Sequence, residues 1–300
     1  MTMTDAPAER LIGPVRTALN HSNASIHDPA QAQRLGFRGS AVGGNLHLDL
    51  FAPLLVQTYG REWFERGALS LYFQNIVVSG ETVQAVVEPP PAPGAQTRIF
   101  ARRPDVPDFI VCEGTASLGD HSRSELATRD LRTSDESQLR LLNGVKPGQH
   151  LGRAQTTPSG EQQAAAIANG SSNEPMDWYS GPSPWGGPIA SVGTTAAMMF
   201  RLLVGDGETH HHDRISPHIG DTSGMFGAFQ VAYENGPVFV DRPYTVTGEV
   251  VGVGQSPKTE YLWWDATTTD EQGKVVVRMR HLLRFLKASS SLYPELQQPS

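Results

Sequence analysis

The sequence predicts an α+β fold in which one long helix followed by an antiparallel sheet occurs twice in the same chain. Two internal similarities indicate the duplication. Residues 78–83 resemble residues 246–251 at an offset of 168, and residues 37–39 resemble residues 185–187 at an offset of 148. In addition, each copy has a helical apolar pattern ahead of several strand-like segments. A chain of 300 residues is long enough for two such units of about 150 residues each.

The first copy begins with a predicted helix that ends near Gly60. Leucines recur at helical spacing along it, which makes one face apolar. They are Leu46, Leu50, Leu54 and Leu55. Pro53 lies inside this pattern and predicts a kink, because proline cannot donate a backbone hydrogen bond. Four strand-like segments follow, at 68–78, 81–88, 97–101 and 109–118, and the first two are joined by Ser79-Gly80.

The second copy repeats this order. A helix is predicted over residues 189–203, and strands over 227–233, 244–253, 259–267 and 274–285. A polar insert, 205–223, accounts for the difference of 20 between the two offsets and is expected to be a surface loop. We therefore divide the chain into a first unit, 1–125, a polar linker, 126–160, and a second unit, 161–300, with a short helix at 164–167.

Composition excludes several classes of protein. The formal net charge of −7 argues against a general binder of nucleic acid. The single cysteine, Cys112, can form no internal disulfide, which fits a reducing compartment. The first fifteen residues lack the apolar core of a signal peptide, and no apolar run is long enough to cross a membrane. We expect a cytoplasmic protein with neither nucleic acid nor membrane as a partner.

Residues 20–45 carry a pattern that points to a family. A loop histidine, His27, is followed by an alanine in the next turn, by the pair Gly36-Phe37, and by the glycine-rich residues 39–44 ahead of the predicted helix. This pattern resembles the signature of MaoC-like hydratases, which have a double hotdog fold. The resemblance implies an α+β double hotdog here, in which two tandem antiparallel sheets join side by side and each wraps a helix.

The resemblance implies a hydro-lyase that adds water to a 2-enoyl thioester or removes it from a 3-hydroxyacyl thioester. His27 is the expected base, because a neutral imidazole accepts a proton near neutral pH. In the family, an Asp five residues earlier forms a water-activating dyad with this His. Here that position is Ser22, and the stretch offers no carboxylate. We therefore expect Asn23 or Ser22 to orient His27 or the water, with Asn20 as a further candidate.

Glycines near the predicted helix are the candidate substrate contacts. Backbone N–H groups reached through Gly43 and Gly44 are expected to stabilise the thioester oxygen, because a helix N-terminus favours negative charge. Gly39 belongs to the same stretch, and glycines allow close approach of the substrate. The family uses no redox cofactor, and its substrates are carried on coenzyme A or an acyl carrier protein. Its sheets often continue across subunits, which makes a homodimer plausible here.

Two other functions remain open at this point. A non-catalytic acyl-thioester binding protein would explain Ser22 in place of the family's Asp, whereas His27 within an otherwise good motif favours an enzyme. A thioesterase or an isomerase on the same scaffold would recruit a different acid, since fold does not dictate reaction. Thiol release and loss of enoyl absorbance distinguish these three functions.

Aromatic and basic residues outside the motif have two interpretations each. Trp178, Tyr179 and Trp185 lie where the second copy mirrors the His27 region. They pack a core or interface, or they form an apolar wall in a degenerate second site with Tyr179 as a proton donor. On another strand, alternation places Tyr261 and Trp263 on one face and Trp264 on the other.

Three arginines share one face of the last predicted strand, namely Arg278, Arg280 and Arg284. They form a solvated sheet face or meet the phosphate groups of coenzyme A. Histidines cluster in the polar insert together with two aspartates, but adjacent histidines on one loop cannot all face one ion, so we expect no metal site. These residues are His210, His211, His212, Asp213, His218 and Asp221. The insert is expected to be solvated, with a lid over the substrate pocket as the alternative.

Overall fold

The computed structural model describes residues 9–204, 215–220 and 222–297. Its α-helices are α1 (Pro29–Arg34), α2 (Ala52–Tyr59), α3 (Trp63–Arg66), α4 (Gly160–Ala168) and α5 (Val192–Val204). Its strands are β1 (Leu11–Ile12), β2 (Arg16–Thr17), β3 (Gly67–Phe73), β4 (Thr82–Val87), β5 (Thr97–Arg102), β6 (Ile110–Leu118), β7 (His150–Thr156), β8 (Gly224–Tyr233), β9 (Tyr244–Gln255), β10 (Thr259–Thr269) and β11 (Val275–Leu286).

The eleven strands of the described residues belong to one antiparallel sheet. Its order is β1, β4, β5, β6, β3, β8, β11, β10, β9, β7, with β2 paired to β4. The two halves join where residues 68–72 of β3 pair with residues 228–232 of β8. Helices α2 and α5 share one continuous apolar core with the sheet. This is the double hotdog architecture that the sequence predicted.

The first central helix begins differently from the prediction. Residues 44–51 form two consecutive 3-10 turns, and the α-helix α2 starts only at Ala52. Pro53 is therefore in the first turn of α2, where its missing N–H group has no partner to lose, and it starts the helix instead of kinking it. The second central helix, α5, is close to its predicted range.

Backbone contacts define which residues of the two halves are equivalent. The N–H of Val42 donates to the carbonyl of Val77, and the N–H of Ala190 donates to that of Val238. Ala41 bridges Val78 just as Ile189 bridges Phe239. The offset is thus 148 before the central helices, as the sequence indicated.

After the central helices the structural offset is 161, so the similarity at an offset of 168 does not reflect equivalent positions. Residues 78–83 contain a turn, whereas residues 246–251 lie within β9. Because both segments contain a Gly-Glu pair between β-branched residues, their sequences resemble each other without sharing a conformation.

Three predicted boundaries also differ from the structure. Strand β3 ends at Phe73, five residues early, because the chain then leaves the sheet and borders a cavity. Residues 126–160 do connect the halves, but they include β7, which pairs with β9. The sequence of β7 is polar because most of its side chains are exposed. Helix α4 starts at Gly160, four residues early, where the hydroxyl of Ser159 accepts a hydrogen bond from the N–H of Gln162.

The connecting segment contacts the sheet in two places, first on its outer face and then beside the main core. Leu126 and Leu131 pack against Trp263 and Leu282 in a second apolar cluster. The buried carboxylate of Glu260 accepts hydrogen bonds from three successive N–H groups, at residues 140–142. Among the described residues, no helix has the length and apolar character needed to cross a membrane.

Candidate functional site

His27 ends a 3-10 turn, Ser25–His27, and borders the main cavity. Its Nδ1 lies 2.7 Å from the carbonyl oxygen of Ala41. A carbonyl oxygen only accepts hydrogen bonds, so Nδ1 carries the proton of the neutral ring. Ala41 is itself held by its N–H, which donates to the carbonyl of Ile26, and by its bridge to Val78. The imidazole is therefore fixed with Nε2 unprotonated.

Asn20 fixes the loop that carries His27. Its side-chain amide lies 2.9 Å from each of three acceptors, namely the carbonyls of Ser22 and His27 and the hydroxyl of Ser40. Its side-chain oxygen accepts a hydrogen bond from the N–H of Ser22. Ser40 also donates to the carbonyl of His27. Asn20 is thus a positioning residue, a role that fits its place among the sequence candidates.

Ser22 and Asn23 do not border the cavity. Both are exposed on the loop before the turn, and the hydroxyl of Ser22 accepts a hydrogen bond from the N–H of Ala24. Gly39 also lies outside the cavity. A Cβ at this position would meet Val78 at 3.4 Å, so Gly39 permits close packing of the loop on that residue. The structure brings only His27, Gly43 and Gly44 of the proposed residues together.

The cavity has a volume of about 460 Å³ and lies between the two halves. The first half contributes His27 and the glycines Gly43 and Gly44. The second half contributes an apolar wall, formed by Phe200, Leu203, Ile215, Phe226, Leu283 and Phe285. A Cβ at Gly44 would lie 3.0 Å from the Cβ of Phe226, so glycine is what allows the two halves to approach here. This volume is suited to a small apolar ligand.

Backbone N–H groups border the cavity at the start of the central helix. Within the described part of the chain, the N–H groups of Gly44 and Asn45 have no hydrogen-bond acceptor. The equivalent group in the second half does have one. Gly193, 148 residues after Asn45, donates its N–H to the carboxylate of Asp49 at 2.8 Å. This contact shows that the backbone position suits an anion.

Asp49 reaches the second half from the first central helix. Its carboxylate also accepts hydrogen bonds from the hydroxyls of Ser191 at 3.1 Å and Ser172 at 3.3 Å. Burial raises the pKa of Asp49 from 3.8 to about 6, although these hydrogen bonds act in the opposite direction. Asp49 thus fills the anion position of the second half with a group of the protein itself.

Tyr179 is the structural counterpart of His27. It ends the 3-10 turn Asp177–Tyr179, and the N–H of Ile189 donates to the carbonyl of Trp178 just as that of Ala41 donates to Ile26. The amide of Gln163 donates to the carbonyl of Tyr179 at 2.7 Å, the contact that Asn20 makes with His27. The second half therefore keeps the scaffold of the site but has a phenol in place of the imidazole.

Aromatic rings fill the space around Tyr179. Besides its neighbour Trp63, Phe64 on α3 contacts four rings at centroid distances from 5.6 to 6.5 Å. They belong to Trp178, Tyr179, Trp185 and Tyr233. Burial raises the pKa of Tyr179 well above 10, and nearby Asp49 adds to the shift. The environment of these aromatic residues fits core packing, the first of the two interpretations given above. Tyr179 lies outside the cavity that His27 borders.

Sequence reasoning missed His47, which also borders the cavity. Its side chain is buried, with 2% exposed, and burial lowers its pKa from 6.5 to about 4. Nδ1 is buried without a hydrogen-bond partner. The signal was available, because His47 and Phe51 are four residues apart on the apolar face of the predicted helix. A polar residue on an otherwise apolar helix face indicates a candidate functional residue.

The three arginines of β11 have different partners. Arg278 pairs with Glu234, and Arg280 binds both carboxylate oxygens of Asp265. Arg284 borders the cavity and donates to the hydroxyl of Tyr72 at 2.6 Å. Among the described carboxylates, none forms an ion pair with Arg284. It is the one arginine of the three that is placed to meet an anionic group of a ligand.

On β10, Trp263 and Tyr261 belong to the outer-face cluster, whereas Trp264 is in the main core, as the alternation predicted. In the insert, residues 210–213 and Asp221 lie outside the described residues, and His218 is exposed. Among the residues that are described, no three potential ligands cluster in a way that would hold a metal ion.

Comparison with solved structures supports the same architecture. The chain is similar to a putative MaoC domain dehydratase from Chloroflexus aurantiacus, with 12% identity, a TM-score of 0.57, and coverage of 93% of this chain and 95% of the other. It is similar to a MaoC-like dehydratase, with 11% identity, a TM-score of 0.53, and coverage of 95% and 100%.

It is also similar to a Mycobacterium tuberculosis protein described as having a double hotdog fold, with 11% identity, a TM-score of 0.56, and coverage of 93% and 97%. No family model matches the sequence, and no curated protein matches it either. At these identities the likeness concerns the fold.

Proposed function

We propose that this double hotdog chain is an enoyl-thioester hydratase, or 3-hydroxyacyl-thioester dehydratase in the reverse direction, with His27 as its base. The observation that carries the proposal is the hydrogen bond from Nδ1 of His27 to the carbonyl of Ala41, in the wall of an apolar cavity. It leaves Nε2 with a free lone pair on a ring that lies near Gly43, since a Cβ at Gly43 would be 3.9 Å from Cε1 of His27. The N–H groups of the next two residues border the same cavity, and hydration requires such a pairing of a base with oxyanion donors.

In the proposed reaction, Nε2 of His27 accepts a proton from water while the water oxygen bonds to C3 of the enoyl group. The π electrons of the C2–C3 double bond move toward the thioester oxygen and give an enolate. The imidazolium then returns the proton to C2, so that water has been added across the double bond and the base is regenerated. One imidazole thus serves both steps.

The N–H groups of Gly44 and Asn45 are the proposed donors to the enolate oxygen. The carboxylate of Asp49 on the equivalent N–H of Gly193 supports this assignment, because it is a negatively charged oxygen in the corresponding place. Fixed N–H groups stabilise the developing charge and need not reorganise to do so. Each such donor typically lowers the activation barrier by about 3 kcal/mol. Gly43 and Gly44 carry no side chains that would block the approach of the thioester.

The apolar wall from the second half is proposed to hold the acyl chain. The cavity volume of about 460 Å³ favours a short or medium acyl chain. Arg284, on the same cavity, is proposed to contact a phosphate of the carrier, since a guanidinium binds phosphate oxygens through paired N–H groups. Both coenzyme A and the phosphopantetheine arm of an acyl carrier protein have such a phosphate.

Hydration of a panel of 2-enoyl-CoA thioesters tests the proposal. Loss of enoyl absorbance without release of free thiol is expected for the unmodified chain, and His27→Ala should lower kcat by at least about 100-fold with the thermal unfolding midpoint unchanged. Release of thiol would identify a thioesterase instead. Full activity in His27→Ala would contradict the role of His27.

A second candidate, a non-catalytic acyl-thioester binding protein, is favoured by one observation. No Asp or Glu among the described residues borders the cavity, and Ser22 is exposed outside it. A binding protein would show saturable binding of the same thioesters, measured by calorimetry, without loss of enoyl absorbance. Arg284→Gln should weaken binding in either case, which makes it a test of the carrier contact alone.

A further inference from the structure

His47 is the other imidazole on the cavity, and its surroundings differ from those of His27. It lies in the first 3-10 turn of the central helix, Gly44–His47, three residues after Gly44. Its ring is buried, with 2% exposed, and it lies 6.5 Å from the ring of Phe73, which borders the same cavity. No contact in the described part of the chain explains a polar ring at this place.

The two nitrogens of His47 are not equivalent. Nδ1 is fully buried and has no hydrogen-bond partner. Nε2 also forms no hydrogen bond within the described residues, but it is not fully buried. Nε2 is therefore the nitrogen that retains access to the cavity. Because a buried N–H without a partner is rarer in proteins than a bare acceptor, the neutral ring carries its proton on Nε2.

From this geometry we propose that His47 is a second catalytic residue, a neutral imidazole whose Nε2–H donates a hydrogen bond to the thioester oxygen. The two histidines would then have complementary tautomers, with a lone pair on Nε2 of His27 and a proton on Nε2 of His47. The inference rests on the proposed function and adds to it the group that compensates for the carboxylate missing at Ser22.

The proposed step is a hydrogen bond and not a proton transfer. As the π electrons of the double bond move onto the thioester oxygen, the N–H of His47 strengthens its bond to that oxygen and keeps its proton. The proton for C2 still comes from His27. A neutral imidazole suits this role, because it polarises a carbonyl without placing a full charge in an apolar cavity. Burial keeps the ring neutral at pH 7, since it lowers the pKa of His47 to about 4.

Two variants of His47 test the proposal by kinetics. His47→Leu removes the donor and should lower kcat for an enoyl-CoA by about 100-fold with KM within about threefold, as expected for an interaction made in the transition state. His47→Gln places an N–H near the position of Nε2 and should retain at least about a tenth of the activity. His150→Gln, at an exposed histidine of β7, is the matched control and should behave as the unmodified chain.

Thermal unfolding separates this role from a structural one. Leu removes an unpartnered buried polar group, so His47→Leu should unfold at the same temperature as the unmodified chain or at a higher one. A histidine kept for packing would instead lower the unfolding temperature when replaced. Activity of His47→Leu within threefold of the unmodified chain, or equal loss in the Leu and Gln variants, would overturn the proposal.

Imidazole ¹⁵N NMR gives a readout that does not depend on turnover. Butyryl-CoA, which has no double bond to hydrate, should shift the Nε2 signal of His47, and the free protein should show the Nε2–H tautomer at pH 7. A shift at His27 without one at His47 would refute this inference and leave the proposed function standing. Absence of both binding and turnover with every thioester would refute both.

Discussion

The carboxylate of Asp49 binds the backbone N–H of Gly193 at 2.8 Å, and this contact joins the first central helix to the start of the second. Both groups are buried at the interface of the two halves. The hydroxyls of Ser191 and Ser172 donate to the same carboxylate. The backbone N–H position that is proposed to bind a substrate oxygen in the first half thus binds a carboxylate of the protein in the second half, where the contact is structural.

Removing this carboxylate should destabilise the protein. Asp49→Ala leaves the N–H of Gly193 and the hydroxyl of Ser172 buried without an acceptor, so we expect the free energy of unfolding to fall by about 3 kcal/mol. Asp49→Asn keeps one acceptor oxygen and should lose less. Urea unfolding at pH 7 measures both, with Glu271→Ala on an exposed turn as the control. Equal urea midpoints for Asp49→Ala and the control would show that the fastening contributes nothing.

Two buried histidines should make the fold sensitive to acid. Burial lowers the pKa of His281 from 6.5 to about 3 and that of His47 to about 4. As the pH falls below 6.5, the unfolded chain takes up protons at these rings while the folded chain does not, so the free energy of unfolding decreases. Asp49 acts in the opposite direction between pH 3.8 and about 6, because there the folded chain holds a proton that the unfolded chain has lost.

His281→Phe isolates one of these contributions. The ring of His281 packs among Phe200, Phe226 and Phe229, and its Nδ1 accepts a hydrogen bond from Trp264. Between pH 6.5 and 4.5 the variant should lose about 2 to 3 kcal/mol less stability than the unmodified chain, at 1.36 kcal/mol for each pH unit. Urea unfolding at several pH values measures this slope. Parallel slopes for the two proteins would mean that folding does not lower the pKa of His281.

Asn20 offers a test of how firmly the loop that carries His27 must be held. Asn20→Ala frees the carbonyl of His27 from its amide partner and should lower kcat by about tenfold through misplacement of the imidazole. The thermal unfolding midpoint should change little, since the loop is exposed, and Gln33→Ala on α1 is the control. A rise in KM with unchanged kcat would argue that Asn20 affects binding instead of the placement of the base.

Gly44 and Gly43 should respond differently to a methyl group. At Gly44 the new Cβ would lie 3.0 Å from Phe226, whose ring is backed by His281 at 4.3 Å and cannot retreat. Gly44→Ala should therefore weaken butyryl-CoA binding by about tenfold, because overpacking of about 1 to 3 kcal/mol falls on the cavity wall. At Gly43 the nearest atom is the side-chain oxygen of Asn45, which can rotate away. Calorimetry that found equal effects would place the substrate away from Phe226.

The sequence was sufficient for the architecture where patterns were strong. Strands β4, β6, β9, β10 and β11 are rich in apolar and β-branched residues, and the aliphatic run of α5 is typical of a buried helix. Strand β7 was not predicted, because an edge strand with an exposed face needs few apolar residues. The similarity at an offset of 168 misled because a short match of common residues carries no information about conformation.

The site was harder to predict, for a physical reason. His27, Gly43 and Gly44 share one cavity as expected, but Ser22 and Asn23 do not, because a loop leads exposed residues away from the turn that it precedes. Contacts such as that of Asp49 with Gly193 join residues far apart in sequence, and no local pattern encodes them. The roles of His27 and the two glycines in catalysis stay predictions until the variants are measured.

The covalent connection between the two halves has a consequence for how such a site can change by mutation. In a symmetric homodimer, each substitution appears in both subunits, so a ring placed to close one cavity closes the other as well. Here a single chain encodes the two positions separately, so Tyr179 with the ring of Phe64 closes one half while His27 keeps an open cavity in the other. The tandem arrangement therefore allows the second half to contribute to stability while the first half keeps its cavity.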